Sequence, residues 1–235
     1  MPADQAALPL VVIACQVFKA LLRNHLPQAG AAQLAFLDYG LHATPKKLRQ
    51  AIQQAIDRIE TPSLIVLGYG LCGNGLSGIQ AGQHTLVVPR ADDCIALLLG
   101  SYQAYRQEFA STPGTYYLTP GWLESGSDPL TQYQSYLKKY DRETADYVID
   151  SQYKHYKRLA MVAQSAEDLA YYRPRAREIA AFCERWGMTY AEILGSDSYV
   201  RRLIETAALD AVHEDFLVIP PGAELCQDQF RRNAP

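Results

Sequence analysis

The stretch SLIVLGYGLCGNG, residues 63–75, indicates the fold class more clearly than any other part of the chain. Its first five residues form a short apolar run, which predicts a buried strand. Four glycines then fall within residues 68–75, and they allow the backbone to approach a ligand closely. A buried strand that ends in such a loop is typical of a parallel sheet that carries a binding site at its strand ends.

Strands and helices alternate on both sides of this stretch. Apolar, β-branched runs predict the strands, and apolar residues at helical spacing predict the helices. The predicted elements are strands at residues 8–14, 33–37 and 85–88 and helices at residues 17–26, 45–59 and 92–109, with Thr44 as a cap. This alternation indicates an α/β fold with a mostly parallel sheet flanked by helices.

The second half of the chain departs from this pattern and then returns to it. Residues 128–161 are polar and rich in tyrosine, and their spacing predicts helices. The other predicted elements are strands at residues 114–118, 188–194 and 215–219 and helices at residues 166–186 and 199–208. We therefore expect two α/β lobes, residues 1–125 and residues 126–235, bridged by the tyrosine-rich helices and packed as one unit.

The composition is that of an ordinary globular protein. The 235 residues are 49% hydrophobic and 20% charged, which is enough apolar material for a buried core. A net charge of -3 without a basic run gives no case for nucleic acid as a partner. The apolar runs are shorter than the roughly 20 residues that cross a membrane, and no signal peptide is evident. We expect a cytoplasmic protein with reduced thiols.

Three of the five cysteines follow predicted strands. Cys15 follows the first strand, Cys72 the third and Cys94 the fourth, while His42 lies after the second. Because the carboxyl ends of parallel strands meet at one edge of a sheet, we expect these side chains to converge. Thiolate and imidazole are the usual zinc ligands, so the sequence predicts a zinc site on these four residues. The three thiols alone would also suit an iron–sulfur cluster.

A structural interpretation of the cysteines stays open beside this one. Free cysteine is among the most buried residue types, and any one of the three thiols can simply fill a gap near a strand end. Cys183 and Cys226 lie outside the strand ends, and we interpret both as structural.

The glycine loop itself predicts a binding surface beside the thiols. Its backbone N–H groups can face an anion, although the pattern is neither a phosphate-binding loop with its lysine nor a dinucleotide fingerprint. The residues that we expect to bind a cofactor or a small-molecule substrate are Gly68, Tyr69, Gly70, Gly73, Asn74 and Gly75. The alternative is a tight turn that needs glycine for its shape.

Two charged residues after the fourth strand are candidates for catalysis. Arg90 can pair with a negative group of the substrate, and Asp93 can orient a ligand or exchange a proton. Helix capping with a local ion pair explains the same residues equally well.

Several motifs resemble those of one known family. The motifs are LDYGLH (37–42), LGYGLCGNGLSG (67–78), PRADDCIALLLGS (89–101), PGTYYLTPGW (113–122), KHYKRL (154–159) and FLVIPPG (216–222). Together they resemble the bacterial and archaeal family labelled domain of unknown function 1638, over nearly the whole chain. The resemblance implies an association with corrinoid proteins and corrinoid-dependent methyltransferases, and hence a role in one-carbon or methyl-group metabolism.

Three hypotheses of function follow from the residues and the resemblance. The first is a metal-dependent enzyme or methyl-transfer component, in which zinc activates a thiol or another small nucleophile. The second is an iron–sulfur protein that uses the same three thiols. The third is an accessory or binding protein for a corrinoid or metalloenzyme partner, with the tyrosine-rich second half as its adhesive surface.

Overall fold

A computed structural model describes residues 8–23, 25–26, 33–209 and 213–232. Residues 1–7, to which the argument against a signal peptide applies, lie outside this range. The strands are β1 (Leu10–Cys15), β2 (Gln33–Leu37), β3 (Leu64–Gly68), β4 (Ile79–Gln80), β5 (Thr85–Pro89), β6 (Thr115–Leu118), β7 (Arg158–Ala163), β8 (Thr189–Leu194), β9 (Phe216–Ile219) and β10 (Glu224–Leu225). The α-helices are α1 (Lys19–Arg23), α2 (Pro45–Asp57), α3 (Ile95–Leu99), α4 (Tyr102–Ser111), α5 (Pro120–Glu124), α6 (Pro129–Leu137), α7 (Arg142–Tyr153), α8 (Ala166–Cys183) and α9 (Ser198–Leu209).

The chain forms two compact units. The first unit contains the chain up to Leu97 together with the segment from Ser198 onward, and the second unit contains the residues between them. The lobes expected from the sequence, residues 1–125 and 126–235, have different bounds. None of the helices in the described ranges combines the length and the apolar character needed to cross a lipid bilayer.

Five strands of the first unit form a mostly parallel sheet in the order β2-β1-β3-β5-β9. β1 runs parallel to β2 and to β3, and β3 runs parallel to β5, whereas β9 pairs antiparallel with β5. The residues of β1, β3 and β5 are almost all buried, which explains their continuous apolar runs. The predicted fold class is therefore confirmed, and the carboxyl ends of the four parallel strands lie at one edge of the sheet.

Helix α2 matches its predicted pattern. Leu48, Ile52 and Ile56 are buried one turn apart, and Pro45 stands in the first turn, where its missing N–H is tolerated. Thr44 occupies the capping position, but among the described residues its hydroxyl makes no capping hydrogen bond.

Two predicted helices of the first half differ from the structure. The helix predicted at residues 17–26 begins as a 3₁₀ turn, Gln16–Phe18, and continues as the short α1; residue 24 lies outside the described ranges. The single helix predicted at residues 92–109 is wrong, because it divides into α3 and α4. Gly100 takes a left-handed φ of 90° between them, and Ser101 then caps α4 by accepting a hydrogen bond from the N–H of Ala104.

The second unit is built on a parallel sheet in the order β6-β7-β8. Helices predicted over residues 128–161 are correct for α6 and α7 but wrong from Arg158 onward, where β7 begins. β7 pairs with a strand on each side, and its residues from Leu159 to Ala163 are fully buried. A continuous apolar run that is buried on both faces favours a strand over the amphipathic helix that the preceding tyrosines suggest.

Candidate functional site

Two of the predicted thiols are in direct contact in the first unit. Cys72 lies in the loop after β3, and Cys94 lies in the segment between β5 and α3. Their Sγ atoms are 3.3 Å apart. The strand-end rule therefore brings together two residues that are 22 positions apart in the sequence.

Backbone hydrogen bonds hold the glycine loop against the segment after β5. The N–H of Leu71 donates to the carbonyl oxygen of Ala91 at 2.8 Å, and the N–H of Cys72 donates to that of Asp92 at 3.0 Å. The N–H of Gly70 donates to the sulfur of Cys94. These bonds fix the position of both thiols without help from a side chain.

Most of the loop glycines are required by close packing. A Cβ atom on Gly68 would lie 2.6 Å from the Cβ of Ala14, and one on Gly75 would lie 2.7 Å from a methyl carbon of Leu48. A Cβ on Gly70 would lie 2.5 Å from the carbonyl carbon of Asp93. Close packing within the protein is thus enough to explain why these three positions are glycine. Their role in binding a ligand stays a prediction.

The centre of the loop holds a strained backbone. Cys72, Gly73 and Asn74 have φ angles of 47°, 63° and 69°, so three consecutive residues are in the left-handed region. For the two that are not glycine, this conformation costs roughly 1–2 kcal/mol each. Strain of this kind clusters at functional sites, because the surrounding structure must be built to keep it. The loop therefore holds Cys72 in an orientation that a relaxed turn would not give.

Cys15 lies close to this pair. It is the last residue of β1, only 7% exposed, and its sulfur accepts a hydrogen bond from the N–H of Val17. Burial raises the pKa of the Cys15 thiol to about 12, and the nearby Cys94 thiol adds to that rise. The contact with Cys72 raises the pKa of Cys94 well above its usual value, and burial raises it further. In the absence of a cation, both thiols keep their protons at neutral pH.

Tyr69 is buried close to the three thiols. It is 3% exposed, and among the described residues its hydroxyl has no hydrogen-bond partner. Burial raises the pKa of Tyr69, and Cys15, Cys94 and Cys72 all add to the rise, so the hydroxyl lies within their electrostatic reach. The sequence singles out Tyr69 only as a member of the glycine loop. Its position as a buried phenol among thiols depends on tertiary packing.

The other predicted site residues make local contacts. Asp93 accepts a hydrogen bond from the N–H of Ile95 at 2.8 Å and so caps the start of α3. Arg90 donates to the carbonyl oxygen of Arg231. His42 lies exposed in the 3₁₀ turn Tyr39–Ala43, with its Nδ1 2.6 Å from the carbonyl oxygen of the first residue of that turn. The catalytic roles of Asp93 and Arg90 and the ligand role of His42 stay predictions.

The remaining cysteines lie elsewhere in the fold. Cys183 is buried at the end of α8 in the core of the second unit, and Cys226 is exposed in the first unit. Within the described ranges, no three side chains of His, Cys, Asp or Glu are arranged to hold a metal ion. The predicted zinc and iron–sulfur sites therefore stay predictions. The contacting thiols of Cys72 and Cys94 would supply two ligands, and the nearby Cys15 would supply a third.

Comparison with known proteins identifies the motifs but assigns no activity. A family model described as "Protein of unknown function (DUF1638)" matches residues 36–204, which include Cys72 and Cys94 but not Cys15. No curated protein and no solved structure matches the chain. The family resemblance is confirmed over five of the six motifs, whereas FLVIPPG (216–222) lies beyond the matched residues, and the association with corrinoid proteins stays a prediction.

Proposed function

The chain belongs to the DUF1638 family, and we propose that it is a metal-binding protein that holds a zinc ion with Cys72, Cys94 and Cys15. The single observation that supports this proposal is the distance of 3.3 Å between the sulfurs of Cys72 and Cys94. Two thiolates on one tetrahedral zinc, each with a Zn–S distance of about 2.3 Å, lie about 3.8 Å apart. The two sulfurs need only a small outward shift to admit the ion.

The buried surroundings favour a cation over free thiolates. Burial raises the pKa of Cys15, and the contact with Cys72 followed by burial raises that of Cys94. A thiolate without a counter-charge is unstable in an apolar environment. A divalent cation neutralises two thiolates at once and drives off their protons. The site is thus suited to soft metals, whose affinity for thiolate outweighs the loss of the protons.

Cys15 and Tyr69 complete the proposed site. Cys15 would enter as the third ligand by a side-chain rearrangement when the ion binds. The hydroxyl of Tyr69, which has no hydrogen-bond partner within the described part of the chain, would donate a hydrogen bond to a metal-bound thiolate. Three protein ligands leave the fourth position open, as in catalytic zinc sites.

An open zinc position can bind and activate a small nucleophile, such as a thiol, as a Lewis acid. If the corrinoid association implied by the motifs holds, that nucleophile would take part in methyl transfer. An accessory protein without chemistry of its own would bind the metal or a partner and turn over no substrate.

Two other functions of the same thiols can be distinguished from zinc binding. An iron–sulfur cluster would use the three thiolates equally well. A redox-active dithiol is favoured by the S–S contact but disfavoured by the raised pKa values, because thiol–disulfide exchange needs an accessible thiolate.

Metal analysis of protein purified without oxygen tests the proposal. We expect about one equivalent of zinc per chain, lost in Cys72→Ser and Cys94→Ser and retained in the exposed control Cys226→Ser. Iron with a similar amount of labile sulfide would instead identify a cluster. If the reconstituted protein bound less than about a tenth of an equivalent of either metal, the metal proposal would be wrong.

A further inference from the structure

The contact between Cys72 and Cys94 also places the two thiols within reach of each other for oxidation. Both cysteines are free, and their sulfurs are 3.3 Å apart. A disulfide needs the two sulfurs at about 2.05 Å, so an approach of roughly 1.3 Å would join them. A shared tetrahedral zinc would hold them about 3.8 Å apart. The observed distance lies between these two values, so small movements of the side chains lead to either arrangement.

Backbone hydrogen bonds keep the two thiols together without a metal. The N–H of Cys72 donates to the carbonyl oxygen of Asp92 at 3.0 Å, and the N–H of Leu71 donates to that of Ala91 at 2.8 Å. These bonds hold the glycine loop against the segment that carries Cys94. Joining the two sulfurs would therefore order little additional chain and cost little conformational entropy.

A hydrogen bond between the two thiols explains their contact only in part. Thiols are weak donors and weak acceptors, so such a bond contributes little to stability. Cys72 and Asn74 have left-handed φ angles of 47° and 69°, which are strained for residues other than glycine. A weak hydrogen bond does not offset this strain, whereas strain of this kind is typical of functional sites.

The two thiols differ in their access to a small oxidant. Cys72 is half-buried, and the next two residues of its loop, Gly73 and Asn74, are exposed. The contact with Cys72 and burial raise the pKa of Cys94, so its thiol is a poor nucleophile toward a molecule in solution. We therefore expect Cys72 to react first and Cys94 to act on the product. The raised pKa also slows repeated exchange with other dithiols, so the pair suits a switch better than a catalytic dithiol.

We propose that Cys72 and Cys94 form a reversible disulfide when a hydroperoxide reaches the loop, and that this disulfide keeps zinc out of the site. The second part rests on the proposed function, whereas the first part does not. A disulfide has no thiolate to offer a metal ion, so of the three proposed ligands only Cys15 would remain.

The oxidation takes two steps, with hydrogen peroxide as the oxidant. The sulfur of Cys72 attacks one peroxide oxygen, so that an S–O bond forms, the O–O bond breaks, and the departing hydroxide takes the thiol proton to become water. The sulfur of Cys94 then attacks the sulfur of this sulfenic acid, so that the S–S bond forms, the S–O bond breaks, and the second hydroxide takes the second thiol proton. In the zinc-bound protein both protons come from solvent. A small dithiol restores the two thiols by exchange and is itself oxidised to a disulfide.

Thiol counting and peptide mapping of the metal-free full chain test the first part. Cys226→Ser is the starting protein, because Cys226 is exposed and would react on its own. After excess hydrogen peroxide, we expect two of its four remaining thiols to be lost, and mapping to join Cys72 to Cys94. Dithiothreitol should restore all four. If Cys94→Ser is added, the sulfenic acid of Cys72 has no thiol to capture it, so a dimedone probe should label Cys72 at least about tenfold more than in the starting protein.

Zinc binding before and after oxidation of the same starting protein tests the second part. We expect oxidation to lower zinc affinity at least about hundredfold, and dithiothreitol to restore it. A reduced protein that binds no zinc would overturn the metal proposal and with it the second part, while the mapped disulfide would still decide the first. A folded chain that keeps all four thiols, that joins Cys72 or Cys94 to Cys15, or that binds zinc equally well after oxidation would overturn the switch.

Discussion

Gly70 and Asp93 approach so closely that a Cβ atom on Gly70 would lie 2.5 Å from the carbonyl carbon of Asp93. This approach seats the glycine loop against the segment after β5, and it brings the sulfurs of Cys72 and Cys94 to 3.3 Å. The thiol contact therefore depends on a position where no side chain fits.

Replacing Gly70 by alanine should separate the loop from this segment. The added methyl group overlaps backbone atoms, which cannot move aside as a flexible side chain would. We expect the free energy of unfolding to fall by about 1–3 kcal/mol, and zinc affinity in a chelator competition assay to fall at least tenfold. Gly187→Ala is the control, because its Cβ would meet no atom within 4 Å while its φ of 74° costs a comparable amount of stability, about 1–2 kcal/mol. Its zinc affinity should be unchanged. Unchanged zinc affinity in Gly70→Ala would show that the loop contact is not needed.

Tyr69→Phe should affect the metal-free and the zinc-bound protein in opposite directions. In the metal-free protein the buried hydroxyl has no partner among the described residues, so its removal should leave stability unchanged or raise it by about 1–2 kcal/mol. In the zinc-bound protein the variant loses a hydrogen bond to a thiolate, and zinc affinity should fall about tenfold. Chemical unfolding with and without zinc measures both effects. A loss of stability in the metal-free variant would mean that the hydroxyl already has a partner.

The thiol of Cys15 should make the metal-free protein less stable at alkaline pH. Its pKa rises from 9.0 to about 12 on folding, so between these values the folded chain holds a proton that the unfolded chain has lost. The stability from this group is complete below about pH 9 and declines by about 1.4 kcal/mol per pH unit as the pH rises toward 12. Urea unfolding at several alkaline pH values should show a shallower decline in Cys15→Ala than in Cys226→Ala. If the free energy of unfolding fell equally steeply with pH in both variants, Cys15 would not be the cause of the alkaline loss of stability.

Two helix caps of the second unit should differ in their contribution to stability. Asp128 is fully buried, accepts a hydrogen bond from the N–H of Thr131 at 2.9 Å, and lies 3.3 Å from Arg175. Asp141 makes the same capping bond with the N–H of Thr144 but is exposed. We expect Asp128→Ala to lose about 3–5 kcal/mol in urea unfolding and Asp141→Ala to lose clearly less. Losses of equal size would show that the buried ion pair adds nothing to the cap.

The strands around the site could be predicted closely from the sequence. β1, β3 and β5 are continuous apolar runs because they are buried in a parallel sheet, and such runs are a strong signal. The contact between Cys72 and Cys94 followed from the same reasoning, since parallel strands end at one edge.

Features that depend on tertiary contacts could not be predicted. The hydrogen bonds from Leu71 and Cys72 to the segment after β5 join only backbone atoms, so they do not depend on which side chains are present and cannot be predicted from the sequence. The buried hydroxyl of Tyr69 is indistinguishable in sequence from that of a surface tyrosine. β7 was not predicted because its apolar run directly follows a tyrosine-rich pattern with helical spacing. The return of the chain to the first unit at Ser198 is not indicated by any local sequence pattern.

X-ray absorption at the zinc edge of the zinc-loaded protein tests the proposed metal site most directly. We expect three sulfur ligands at about 2.3 Å in the wild-type protein and in Cys226→Ser, and at most two around the zinc that Cys94→Ser takes up only from excess zinc. A zinc shell of nitrogen and oxygen alone, or a sulfur count that Cys94→Ser leaves unchanged, would contradict a site built on the contacting thiols.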